Sequence, residues 1–195
     1  MALLGCEEKC GNVSIPYPFG IGANCYYDSW YEIVCHKYFS PPKPFLRRLN
    51  LEVMEITLKS GLFNYQMLTV GTSPLNICTG GVVGNSSSTQ RNTSVDLGGS
   101  PYRFSRDYNV FMVKGCAGGV VMMNRRNKIL AGCASICPKN YSIVQNYCYG
   151  VSCCQTPIPI EYSLDFYQIG FDDEAIPNSY TCMAAALMAD TFTAW

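Results

Sequence analysis

Residues 6–35 read CEEKCGNVSIPYPFGIGANCYYDSWYEIVC and hold four of the chain's twelve cysteines. Pro16 and Pro18, followed by Gly20 and Gly22, exclude a helix interior: proline lacks a backbone donor and pushes its neighbour toward extended geometry. Tyr17 and Phe19 alternate with the prolines, so both rings are expected on one side. Cys25–Tyr27 and Trp30–Cys35 read as the arms of a β-hairpin turning at Asp28-Ser29. The block therefore reads as a stapled, aromatic-packed β structure.

Working outward, 195 residues allow one large domain or two small ones. Fourteen basic and fourteen acidic residues leave no net charge, which argues against a nucleic-acid binder and makes any anion site a local one. Twelve cysteines against one histidine, spread along the chain among Gly-, Pro- and Ser-rich loops, fit a disulfide framework in an oxidising compartment. The twelve are Cys6, Cys10, Cys25, Cys35, Cys78, Cys116, Cys133, Cys137, Cys148, Cys153, Cys154 and Cys182. Zinc is the rival account, since Cys6-x3-Cys10 and Cys133-x3-Cys137 have tolerable ligand spacing, but it leaves the other cysteines needing partners. The adjacent Cys153 and Cys154 are expected to bond to different partners, because a bridge between neighbours strains its geometry. The partner of Cys78 is expected to be distant in sequence. Neither metal nor cofactor is expected.

Along the chain, the three prolines of His36–Pro44 read as a linker. In Phe45–Leu58 the apolar residues change phase, from 49, 51 and 53 to 56 and 58. That implies two strands, or one with a bulge near Met54-Glu55. Strands are also expected at Leu62–Val70, Val110–Val113, Val120–Met123 and within Ile160–Ile169, the last with Tyr162, Leu164 and Phe166 on one side. Asn124–Lys128 reads as a basic turn before Ile129-Leu130. Cys182–Asp190 reads as a short helix or a strand, with Ala and Met favouring helix. The architecture expected is mainly β and disulfide-rich: two small modules of short strands and long loops with little helix.

Several of these runs carry a resemblance. Gly11-Asn12, Ile15–Ile21, Cys25 and Cys35 match the start of the galacturonan-binding domain of plant wall-associated receptor kinases. Pro101, Tyr102, Phe104, Ser105, Asn109, Phe111, Gly115 and Cys116 resemble a later step of the same family, with Tyr for Phe at one position. Gly132–Cys137 and Cys148–Pro159, including Cys153-Cys154-Gln155, resemble the signature of that family's second extracellular module. Cys182–Asp190 is similar to the family's closing stretch, with Ala186 where an aromatic is usual. The resemblance implies modules at 1–115 and 116–195. No kinase or growth-factor-like signature is present.

An enzymatic reading finds little to build on. His36, the sole histidine, lies in a Pro-rich segment beside Cys35, and nucleophilic catalysis needs a histidine held against a nucleophile. Glu52 and Glu55, or Asp172, Asp173 and Glu174, could form a glycosidase pair only if the fold placed them so. The resemblance implies instead a non-catalytic ligand-binding region on the extracellular, apoplast-facing side of the plasma membrane, taking acidic cell-wall pectin. Carboxylates are best met by arginine forks. The cations come in three clusters: Lys37, Lys43, Arg47 and Arg48; Arg103 and Arg106; Arg125, Arg126 and Lys128. A protein ligand or co-receptor is the other class, with Tyr26, Tyr27, Trp30 and Tyr31 suited to an interface.

Met1–Leu4 is too short for a signal peptide's apolar region, and Met183–Trp195, interrupted by Asp190, is too short to span a membrane. A trimmed chain or a mature ectodomain, rather than a full precursor, is the expectation; if the chain is part of a receptor, the anchor is expected beyond Trp195. Asn12, Asn85, Asn92 and Asn140 each open an Asn-x-Ser/Thr sequon. Asn85 and Asn92 lie in the most hydrophilic stretch, Gly84–Ser94, expected to be an exposed loop. Glycopeptide mapping of protein from a eukaryotic secretory host should find both modified; finding both bare would contradict their exposure.

Overall fold

The computed structural model describes residues 1–59, 65–79, 92–116, 118–137, 148–159, 163–171 and 181–189. Among them every regular element is a strand, so the mainly-β, disulfide-rich reading holds. Packing divides the chain into two compact units, Met1–Thr72 and Ser73–Trp195. The division expected near Gly115 lies elsewhere because the strand ending there is central to a sheet of the second unit.

The first unit opens with a two-stranded ribbon, β1 (Lys9–Cys10) and β2 (Val13–Ser14). A five-stranded sheet follows, ordered β3 (Gly20–Ile21), β4 (Glu32–His36), β5 (Lys43–Leu46), β6 (Leu51–Lys59), β7 (Tyr65–Gly71). β4 through β7 are antiparallel neighbours. The β6–β7 register shifts between Val53 and Glu55, placing a bulge at Met54 where the phase change implied one. Cys6–Cys25 and Cys10–Cys35 bridges staple the opening block.

Three expectations for this unit are corrected. Cys25–Tyr27 is not a strand: β3 pairs parallel to β4 (Gly20↔Glu32, Ile21↔Ile33), and residues 22–31 are the connection. Gly22 and Asn24, both at positive φ, break the extended run. Tyr17 and Phe19 point differently, 42% and 2% exposed, because Pro16–Phe19 is a turn in which Phe19 N–H donates to Pro16 O. The segment His36–Pro44 is not a linker but the tip of a β4–β5 hairpin, with His36 opposite Lys43.

The second unit is a sandwich of two four-stranded antiparallel sheets. One is ordered β13 (Cys153–Pro157), β10 (Asn109–Gly115), β15 (Thr181–Ala189), β8 (Leu75–Thr79). The other is β12 (Ile129–Ala134), β11 (Gly119–Met123), β14 (Phe166–Phe171), β9 (Asn92–Asp96). The inner faces meet in one core: Phe111, Val113, Met183, Ala185 and Leu187 from the first sheet, Val120, Met122, Tyr167 and Ile169 from the second. Alternate strand residues point to one face, which is why these come in steps of two.

Cys182–Ala189 is therefore a strand despite its helix formers. Met183, Ala185 and Leu187 alternate inward, and both edges of β15 are paired, to β10 and β8. Tertiary pairing overrides a propensity difference of under ~0.7 kcal/mol per residue. In β14 the buried parity is Tyr167 and Ile169, with Phe166 only half-buried. Tyr162, like the 62–64 part of the strand expected at Leu62–Val70, lies outside the described residues. Asn92–Ser94 belongs to β9 rather than a loop, though Asn92 is exposed, as is Asn12. Asn85 and Asn140 lie outside the described residues.

Cys116–Cys137, Cys133–Cys154 and Cys148–Cys153 bridge the second cluster within itself, and Cys153 and Cys154 do take different partners. Cys182 is also disulfide-bonded, and the strand register sets Cys78 opposite it. Non-reducing peptide mapping should recover the five described bridges plus a Cys78–Cys182 link; two or more alkylatable thiols in native protein would contradict this. Gly20 is a second test. A Cβ there would lie 1.9 Å from Cys25 O, whereas at Gly132 the nearest atoms are 4.0 Å away. Gly20→Ala should cost about 3 kcal/mol or more in a denaturant titration, and Gly132→Ala far less.

Candidate ligand-binding surface

The β4–β5–β6 ladder has two chemically distinct faces. Ile33, Pro44, Leu46 and Val53 are buried on one. Strand alternation puts Glu32, Val34 and His36 of β4, Lys43 and Phe45 of β5, and Glu52 of β6 on the other, joined by Arg47 just past β5. The outer face thus carries charges and half-buried aromatics side by side.

Most of its cations are already paired. Lys43 Nζ lies 2.9 Å from Glu52 Oε1, Arg47 Nη1 is 3.2 Å from Glu32 Oε1, and Lys37 Nζ is 3.4 Å from Glu7 Oε1. These pairs are exposed to differing degrees and individually weak. Arg48 differs. Its guanidinium stacks 4.0 Å over the Trp30 ring, and Nη1 donates to Ser29 Oγ at 3.0 Å. It has no carboxylate partner among the described residues. The backbone around Trp30 is fixed by Asp28: the Trp30 backbone N–H donates to Asp28 Oδ1 at 2.7 Å, and the Tyr31 backbone N–H donates to Asp28 O. Burial, with the Asp28 charge and Tyr27 adding to it, raises the Tyr31 phenol above its ordinary value. Tyr31 packs edge-on against Phe19 and Tyr27.

The second unit's cations are mostly committed to structure. Arg125 grips Asp96 with both terminal nitrogens, Nη1 to Oδ2 at 2.7 Å and Nη2 to Oδ1; its Nε lies 3.7 Å from Asp165 Oδ1, and it sits 4.8 Å over Phe166. Gly98 makes room for it: a Cβ there would meet Nη2. Arg103 Nη1 donates to Ser100 O and Tyr102 O, and Arg106 pairs with Asp107 at 3.5 Å. Arg126 and Lys128 are exposed on the β11–β12 turn, where their backbone N–H groups both donate to Asn124 Oδ1.

Of the first basic cluster, then, Arg48 lies on Trp30, while Lys37, Lys43 and Arg47 are each paired with a glutamate. Arg103 and Arg125 are structural braces. What the sequence did not disclose are the acids that neutralise the cations, Glu7, Glu32, Glu52, Asp96 and Asp165, and the aromatic neighbours of Lys43 and Arg48. Period-2 alternation of Lys43, Phe45 and Arg47 around buried Pro44 and Leu46 is a signal that could have found this face.

Residues 6–67 match the family model described as wall-associated receptor kinase galacturonan-binding, a stretch lying inside Met1–Thr72. The chain belongs to the wall-associated receptor kinase-like family. It is 37% identical over 169 residues to wall-associated receptor kinase-like 6 of Arabidopsis thaliana, covering 80% of this chain and 26% of that protein. To wall-associated receptor kinase-like 5 of the same plant it is 36% identical over 168 residues (80% and 22%). To wall-associated receptor kinase-like 4 the identity is 39% over 160 residues (79% and 20%). The chain thus spans about a quarter of these relatives' length. No solved structure matches it. Among the described residues no helix is long and apolar enough to cross a membrane.

The Arg125 brace has a pH signature. Hydrogen bonds from Arg125 and from Gly98 N–H hold the Asp96 carboxyl below the usual carboxylate range. A depressed pKa contributes stability that is present above the unfolded-state value and lost as pH falls through the folded one. Asp96→Asn should therefore lower the thermal midpoint at pH 7, and the gap to the parent protein should close on acidification below the ordinary Asp range. A gap that stays constant with pH would contradict the charge-based account.

Proposed function

We propose that this chain is the extracellular, non-catalytic ligand-binding region of a plant cell-surface receptor kinase, and that it binds acidic pectin fragments on the outer β4–β5–β6 face. The observation that carries the reading is Arg48: within the segment matching the galacturonan-binding family, it is preorganised on Trp30 with no carboxylate of its own among the described residues. A uronate carboxylate can take two of its N–H donors at once. Further along the chain of sugars, carboxylates would compete with Glu32 for Arg47 and with Glu52 for Lys43, exchanging a weak internal pair for an intermolecular one. That exchange favours a polyanion over a single uronate. His36 sits among aromatic rings, which supports binding rather than nucleophilic catalysis.

Recognition of a protein ligand or co-receptor is the second reading. It is favoured by Ile136 and Tyr149, 66% and 80% exposed and brought close by the Ile136 N–H to Gly150 O hydrogen bond.

Titration calorimetry with oligogalacturonides separates the two. The free-acid oligomer should bind in a salt-sensitive manner, because exposed charges are screened beyond ~8 Å at physiological ionic strength. Full methyl-esterification should weaken binding at least about tenfold, and Arg48→Gln should do the same without changing thermal stability, since each removes a charge-assisted hydrogen bond. Equal affinity for acid and ester forms, or no binding of either, would transfer the lead to a protein ligand.

A further inference from the structure

At the hairpin end of the outer face four rings are gathered. Phe39 and Phe45 are stacked, 6.4 Å apart and 24° from parallel. His36 lies 5.0 Å from Phe45 and 5.1 Å from Tyr38, and Tyr38 lies 4.4 Å from Phe39. Lys43 Nζ sits 5.2 Å from the Phe39 centroid. Burial of apolar surface accounts for Phe45 and Phe39, both half-buried. It does not account for Tyr38, which is 75% exposed at the outside of the group. A large aromatic left in water beside other rings forgoes much of its transfer free energy.

The tip is also rigidly placed. The adjoining Cys35 is bridged to Cys10, and Gly11 packs so closely on the hairpin that a Cβ would lie 2.1 Å from Pro42 O. The rings are thus preorganised, which lowers the entropy cost of binding. The rings are tilted against one another, Tyr38 by 41° from Phe39 and by 48° from His36, and the Lys43 ammonium lies over Phe39, so Tyr38 is the ring left open to a partner that is apolar on one face and carries acceptors round its rim.

We infer that Tyr38, backed by Phe39 and Phe45, forms a stacking subsite for the C–H face of a pyranose ring, with the neighbouring Lys43 meeting ring hydroxyls or a carboxylate. This rests on the pectin reading for the identity of the sugar but not for the contact itself, which needs no charge. The subsite supplies a salt-insensitive contribution beside the ionic one at Arg48, and it retains hold of esterified residues.

Tyr38→Ala is the test, because the side chain is exposed and its loss should leave the unfolding midpoint unchanged. Affinity for the free-acid oligogalacturonide should fall roughly fivefold, with the same ratio at low and high salt, as loss of one aromatic contact implies. Tyr38→Phe, which keeps the ring, should bind like the parent protein. In parallel, proton NMR should show the Tyr38 ring signals shifting on addition of fully methyl-esterified oligogalacturonide or of a neutral galactan oligosaccharide at millimolar concentration. If the acid oligomer fails to bind but the neutral sugar shifts those signals, the pectin reading falls and the subsite stands. An undiminished affinity of Tyr38→Ala, a loss that vanishes at high salt, or ring signals unmoved by every oligosaccharide overturns the subsite.

Discussion

The bridge between Cys10 and Cys35 is the constraint on which the first unit depends. It ties the opening ribbon to β4, with Cys10 fully buried. A unit of about seventy residues, with no helix among its described residues, has little apolar area to bury, and cross-links of this kind compensate by restricting the unfolded chain. Fixing β4 fixes more than a core strand. Its inward residue Ile33 is buried on the same face as Leu46 and Val53, so its outward residues, Glu32, Val34 and His36, have their orientation set by the same bridge. Gly11 against Pro42 then holds the β4–β5 tip. Surface chemistry on this face is thereby displayed on a rigid strand ladder instead of a mobile loop, the arrangement that best preserves binding geometry.

The second unit solves its stability problem differently. Two sheets share one core, and Cys133–Cys154 joins a strand of each. Arg125 ties the β11–β12 turn to Asp96 at the end of β9 and to Asp165 just before β14. A cation so engaged is a poor candidate for a ligand, because an incoming carboxylate must first displace a bidentate internal one. The contrast with Arg48, braced by an aromatic face, is what directs the functional reading to the first unit.

Much of the framework was legible in the sequence because its signals are local. The change of apolar phase around Met54 gave the bulge, and the adjacency of Cys153 and Cys154 gave their separate partners. What failed required knowledge of distant neighbours. Parallel pairing of Gly20-Ile21 with β4 skips the intervening turn residues, and nothing in Cys25–Tyr27 announces that it lies outside the sheet. For Cys182–Asp190 the sequence left helix and strand both open, and the flanking β10 and β8 decide for the strand. The unit boundary was misplaced for the same reason: Gly115 ends a strand, but that strand's partners lie some forty and seventy residues onward. At the candidate surface the cations were visible, whereas their acids and rings, up to thirty residues away, were not.

The central claim is that ligand contact is concentrated on the outer face of the first unit. Backbone hydrogen–deuterium exchange of the intact chain, with and without saturating oligogalacturonide, addresses it directly. The account predicts slowed exchange in two stretches, around Trp30–Glu32 and across His36–Arg48, with β10 to β15 unchanged. Protection confined to the second unit, or none at a concentration where binding is established, would contradict it.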